Sequence, residues 1–125
     1  MRTLGQKRAA FALVKVTNLP SETKDRFKPF SAGAPSMILQ NGFGQALAFW
    51  LAKGKVEHLA MFNIVKEWLT YKNEDVNNNF VQPADDSAEA FIKAISDMSQ
   101  EQYLTAQKET LALLEWVKRY ANAGL

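Results

Sequence analysis

Apolar residues recur along most of this chain at helical spacing, and no stretch keeps the two-residue period of a half-buried strand for more than a few positions. The pattern predicts an all-α protein. A first helix is expected from about Thr3 to Thr17, with Ala9, Ala10, Leu13 and Val16 on one side and Arg8 and Lys15, two turns apart, on the other. Leu19-Pro20-Ser21 ends it, and Ser21 or Thr23 is placed to cap a short second helix that Pro29, Gly33 and Pro35 interrupt. Pro35 sits where a first-turn proline belongs, so a new helix is expected to start there and to stop at Gly54.

The next helix should run from about Lys55 to Lys72, with a stripe at Met61, Ile64, Val65, Trp68 and Leu69. NEDVNNNFVQP, residues 73–83, reads as an exposed loop. Asp86 with Glu89 three residues later forms a capping pattern ahead of Ala88, Phe91, Ile92, Ile95 and Met98, and Ser99 with Gln102 repeats the device. The last helix carries Leu104, Leu111, Leu114, Val117 and Ala121 on one stripe and Leu113, Trp116 and Tyr120 on an adjacent one, and two stripes require two neighbours. Five or six helices in a single compact bundle, one domain over residues 1–125, is the economical architecture.

The stretch from Ser36 to Ala52 holds no charge, yet it places Gly42 and Gly44 among its oily residues. A glycine inside a helix costs roughly 1 kcal/mol relative to alanine, so these positions need a reason. On a continuous helix Asn41, Gly44, Gln45, Ala48 and Ala52 form a face of small and amide-bearing side chains, opposite a bulky face of Leu39, Phe43, Ala46, Leu47 and Trp50. Asn41, Gly42, Gly44 and Gln45 thus mark a tight-packing or partner face, across which Gln40, Asn41 and Gln45 are placed to hydrogen-bond.

Charge sharpens the picture. The net charge is +2, but residues 1–55 carry nine Lys and Arg against Glu22 and Asp25, while residues 56–125 carry six against eleven acids. Either the basic half faces a polyanion or the two halves attract each other within the fold. No acid precedes Glu22, so Arg8 and Lys15 are candidate contacts for the phosphates of a polyanion, with Lys53 and Lys55 added at the end of the uncharged segment. Lys108 and Arg119 also share a face of the last helix, but Glu115 lies four residues before Arg119 and favours an ordinary intrahelical pair.

Reactive chemistry is scarce. The chain has no cysteine and one histidine, His58, which leaves no disulfide, thiolate nucleophile or cysteine-based zinc site. Glu74/Asp75 and Asp85/Asp86 fall in loops or at a helix start, where solvation and capping account for them. Gly42-Phe43-Gly44 lacks the third glycine of a dinucleotide fingerprint and the Gly-Lys-Ser/Thr ending of a phosphate loop. No catalytic residue, metal site or cofactor is therefore expected. The longest uncharged run, residues 29–52, is interrupted by Gln40, Asn41 and Gln45 and so does not supply the roughly 20 consecutive apolar residues a bilayer needs, and Lys15 cuts the first apolar patch too short for a signal peptide. The cytoplasm is the expected location, without a membrane partner.

The run Pro35 to Trp50, P-S-M-I-L-Q-N-G-F-G-Q-A-L-A-F-W, resembles the signature of the small-subunit family of the type III-B CRISPR-Cas effector, the Cmr complex. A proline is followed by an aliphatic residue, then asparagine-glycine with a bulky apolar residue, then leucine-alanine-phenylalanine. The likeness extends to the basic first helix and to a closing L-L-E-W-V-K-R-Y-A, Leu113 to Ala121. Phe27 to Ala34 departs from it, being more broken by Pro29 and Gly33 than a continuous helix would be. The resemblance implies a non-catalytic, RNA-binding subunit in antiviral defence. Such a subunit stacks with copies of itself along the effector, beside other subunits that hold the guide RNA, and helps form the groove for target RNA. It supplies no binding motif to carry over, so Arg8, Lys15, Lys53 and Lys55 stand on charge and face alone. The alternative is a helical adaptor whose basic face docks an acidic protein and has no RNA role.

Overall fold

The computed structural model describes all residues, 1–125, and contains six helices: α1 (Leu4–Thr17), α2 (Ser21–Asn41), α3 (Phe43–Lys53), α4 (Val56–Leu69), α5 (Ala88–Ser96) and α6 (Gln100–Asn122). There is no strand; the loop after α4 carries only an isolated antiparallel bridge between Lys72 and Asn77. The all-α expectation holds. No helix is long and apolar enough to cross a membrane.

The long helix α6 is the spine. Helix α1 runs alongside it in the same direction, with Arg8 against Glu109 and Val16 near Ala121. Helix α2 runs the opposite way, from Lys24 at Leu125 towards Tyr103 of α6, which Gly44 meets just beyond α2. One cluster of 25 buried apolar residues fills the space between helices, with Trp50, Trp68, Phe27, Phe43, Phe62 and Phe91 among its largest members. The predicted stripe of α4 is buried throughout. Helix α1 is turned from its expected orientation: Phe11, Ala12 and Val16 face inward while Ala10 and Leu13 are exposed. Leu104, expected on the inner stripe of α6, is also exposed.

Side chains of the N-cap residue cap three helix starts, of which the Ser99 cap is as expected. Thr3 and Gln6, like Ser99 and Gln102, form full capping boxes. At α5 the cap is Ser87, which accepts from the Ala90 N–H, instead of the expected Asp86. At α2 neither Ser21 nor Thr23 caps; Pro20 precedes the first turn with no side-chain bond.

The main correction lies at residues 21–41. Pro29 and Pro35 do not divide this region, and no helix starts at Pro35; α2 is continuous across both. The reason is packing. Phe27, Ser31, Ala34 and Ile38 recur every three or four residues on a buried face against α4 and α6, whereas Pro29 lies on the exposed side. Burial along that face outweighs the backbone bonds the prolines remove. The departure noted at Phe27 to Ala34 is therefore one of sequence and not of helix continuity.

The break comes instead at Gly42, whose φ of 90° and ψ of 156° lie in a region essentially restricted to glycine. Gly42 ends α2 and starts α3, so neither glycine sits in mid-helix. Having no side chain, Gly42 cannot cap α3. The hydroxyl of Tyr103 does so from α6, accepting from the Gly44 N–H at 2.7 Å. A Cβ on Gly44 would lie 3.3 Å from that oxygen. The close neighbour implied by the small residues is thus an internal tyrosine.

Substitutions at these contacts have defined expected costs. Gly42→Ala should lower unfolding stability by about 2 kcal/mol through backbone strain, and Tyr103→Phe by about 1 kcal/mol through an orphaned helix-start N–H, both read by denaturant titration. Glu109→Gln should cost about 3 kcal/mol, and the double variant Arg8→Met/Glu109→Gln should recover part of that loss, because the amide oxygen still accepts from Trp68 Nε1 and no half-buried cation is left unpaired.

Candidate nucleic-acid interface

The four cationic candidates separate into two pairs. Arg8 is committed to the fold: its Nε and Nη2 donate to the Glu109 carboxylate at 2.6 and 2.8 Å, and Glu109 is buried. That hydrogen-bonded carboxylate raises the guanidinium pKa further, outweighing the opposite effect of burial. Lys15 is paired with Glu67 of α4. Arg2 and Lys7 share Asp75 in the loop after α4. Every cation of the first helix region therefore meets an acid from the second half of the chain. The expectation that α1 presents an unopposed basic face is corrected on this point: a charge reversal at Arg8 would report on stability before it reported on RNA.

Lys53 and Lys55 have the opposite situation. Both are exposed and neither lies in an ion pair. They flank Gly54, which closes α3 in the left-handed conformation with φ of 64°, while Lys55 is the residue before α4. The chain reversal brings them to one corner. Lys53 Nζ lies 5.6 Å from the centroid of the Phe49 ring. From Arg26 to Val56 the sequence contains no Asp or Glu at all, and none of Arg26, Lys28, Lys53 and Lys55 has a carboxylate partner. That acid-free run was the signal that a count over the whole first half concealed.

Beneath this corner lies His58. Its ring is tilted against Phe30 at 4.3 Å and Phe49 at 6.2 Å, and its Nδ1 is 3.8 Å from a Glu57 oxygen. Burial pulls the imidazole pKa below its ordinary value, Lys55 and Lys53 push the same way, and Glu57 opposes them. The buried Trp50 Nε1, Glu57 Oε1 and His58 Nδ1 have no hydrogen-bond partner.

The amide candidates face outward. Asn41 and Gln45 are exposed, as is Gln40, and none of the three makes a side-chain hydrogen bond within the protein; the expected amide contacts across the tight face do not form internally. Gly42 and Gly44 instead turn to Tyr103. Lys108 and Arg119 are exposed, and Glu115 pairs with neither, contrary to the expected intrahelical pair. No three His, Cys, Asp or Glu side chains come together in a group that could hold a metal ion.

Fold and site together define a class: a small all-helical bundle in which an acid-free stretch of chain carries four cations, Arg26, Lys28, Lys53 and Lys55, with no carboxylate partner. Residues 4–124 match the family model described as CRISPR-associated protein (Cas_Cmr5). The chain belongs to that family. A relative from Thermus thermophilus, named CRISPR system Cmr subunit Cmr5, is 30% identical over 128 residues, spanning 98% of this chain and 96% of the relative. A crystal structure of a CRISPR-associated Cmr5 family protein from the same organism superposes with a TM-score of 0.72 at 29% identity, covering 98% of this chain and 97% of that one.

The depressed His58 pKa fixes a pH dependence. The unfolded chain binds a proton at His58 near pH ~6.5, before the native state does, so stability present above that pH is lost on acidification. The melting temperature should therefore fall between about pH 7.5 and about pH 5.5, above the range in which ordinary carboxylates titrate, and His58→Gln should flatten that slope.

Proposed function

We propose that this chain is a non-catalytic small subunit of a type III-B CRISPR effector complex, acting in the cytoplasm in antiviral defence. It stacks with copies of itself beside the subunits that hold the guide RNA and helps form the groove for target RNA. The observation that carries the RNA role is the unpaired Lys53–Gly54–Lys55 corner in a region free of carboxylates. Family membership supports the assembly. Phosphate contacts by lysines are independent of base sequence, which suits a groove that receives many targets while base pairing with the guide selects among them. The exposed Asn41 and Gln45 amides, the exposed Leu39 and Leu104, and the basic Arg8 and Lys15 helix packed inward leave distinct surfaces for neighbouring subunits and for the strand.

The test is charge reversal in the reconstituted complex. Lys53→Glu/Lys55→Glu should weaken target-RNA retention and flatten its dependence on log salt by about 1.4, the share of two phosphate contacts on a single strand. Unchanged retention and slope would remove these lysines from the groove. Loss of subunit incorporation with RNA binding intact would favour the protein-docking adaptor.

A further inference from the structure

The chain has fourteen aromatic side chains, counting Phe, Trp and Tyr, and Phe49 is the one whose residue is exposed; the others are buried or half-buried. At 43% exposure it faces solvent from the middle of α3, while its neighbour Trp50 is completely buried. An exposed phenylalanine forfeits the free energy of burial, about 2 kcal/mol for such a side chain. This one is also held in place, with His58 packed beside it at 6.2 Å and the Lys53 ammonium 5.6 Å from its centroid. Along the same outward face lie the exposed Gln45, Ala48 and Ala52, so the one charge on that face beside the ring is the Lys53 ammonium.

We infer that Phe49 is a stacking platform for one base of a single-stranded nucleic acid, with Lys53 and Lys55 taking the adjoining phosphates. The inference rests on the RNA-groove reading above and deepens it. It adds a contact to the base face, which any base can satisfy, to a contact with the backbone. An aromatic ring beside unpaired lysines is the combination that sequence-tolerant single-strand binding uses, because every base offers a π-face and every nucleotide a negative charge. A protein partner seated on Phe49 would have to be acidic to neutralise the lysines.

The experiment compares two probes on the full chain at low salt by fluorescence anisotropy: end-labelled single-stranded oligoadenylate and an abasic strand of equal length. The wild-type protein should bind the strand with bases about tenfold more tightly. Phe49→Leu should erase that difference without changing the salt slope, and Phe49→Trp should preserve it. Lys53→Gln should weaken both probes alike and flatten the slope by about 0.7. Melting temperatures close to wild type would confirm that the variants are folded. If Phe49→Leu binds both probes as the wild type does while the lysine variant still flattens the slope, the stacking inference falls and the groove reading stands. If neither change alters binding, both fall. Equal displacement of either probe by polyglutamate, with no preference for bases, would assign the corner to an acidic peptide and overturn the inference.

Discussion

The buried carboxylate of Glu109 is the interaction on which the arrangement of the other helices depends. From the middle of α6 it accepts two bonds from Arg8 of α1, and it also accepts the indole N–H of Trp68 of α4 at 2.9 Å. Three helices are thereby fixed at one point in the core. Phe11 packs against both Trp68 and Tyr71 at 5.0 Å just beside it, so the polar knot sits within an aromatic wall. A buried ion pair contributes little net stability over an apolar replacement, but removing one partner leaves the other desolvated. Its two-nitrogen geometry ties the rotation and axial position of α1 to the middle of α6.

That bond also decides what the positive charge of the first half is used for. Arg8, Lys15, Arg2 and Lys7 all spend their charge on acids more than fifty residues away in sequence. The asymmetry between halves has two components. One is internal, joining α1 to α4, α6 and the loop after α4. The other stays outside, on the α2-to-α4 segment where no acid is available to answer it. Of the two readings that the composition leaves open, attraction between the halves is realised around α1, while the cations of the α2-to-α4 segment stay without a carboxylate partner.

Local patterning made most of the helices of this fold legible, along with their class, the Ser99 cap, the Gly54 stop and the buried stripe of α4, because each depends on residues within a few positions of one another. Two kinds of feature were not legible. The continuity of α2 through Pro29 and Pro35 depends on Phe27, Ser31, Ala34 and Ile38 meeting other helices, which no local rule contains. The pairing of Arg8 with Glu109 spans 101 residues, so counting charge along the chain took a structural cation for a free one. Lys53 and Lys55 were legible as candidates because what isolates them is itself local: a glycine turn and a stretch without acids. Phe49 was overlooked because aromatics at helical spacing usually belong to the core, and its exposure follows from the rotation of α3.

Gly42 sets that rotation. Successive residues on a helix are about 100° apart, so had α2 continued unbroken into α3, the side chains after residue 42 would have kept the phase of Ile38. The non-helical backbone of Gly42 restarts the helix, and the Tyr103 hydroxyl fixes the new start through Gly44. In the resulting phase Phe43, Ala46, Leu47 and Trp50 point into the core, while Gln45, Phe49 and Lys53 point out of it. Leu39 shows the same break from the other side: grouped with Phe43 on a continuous wheel, it is 67% exposed because it belongs to the preceding helix and its phase. The two glycines in the uncharged stretch therefore do more than admit a close neighbour. They determine which aromatic is buried and which is presented to solvent beside the free lysines.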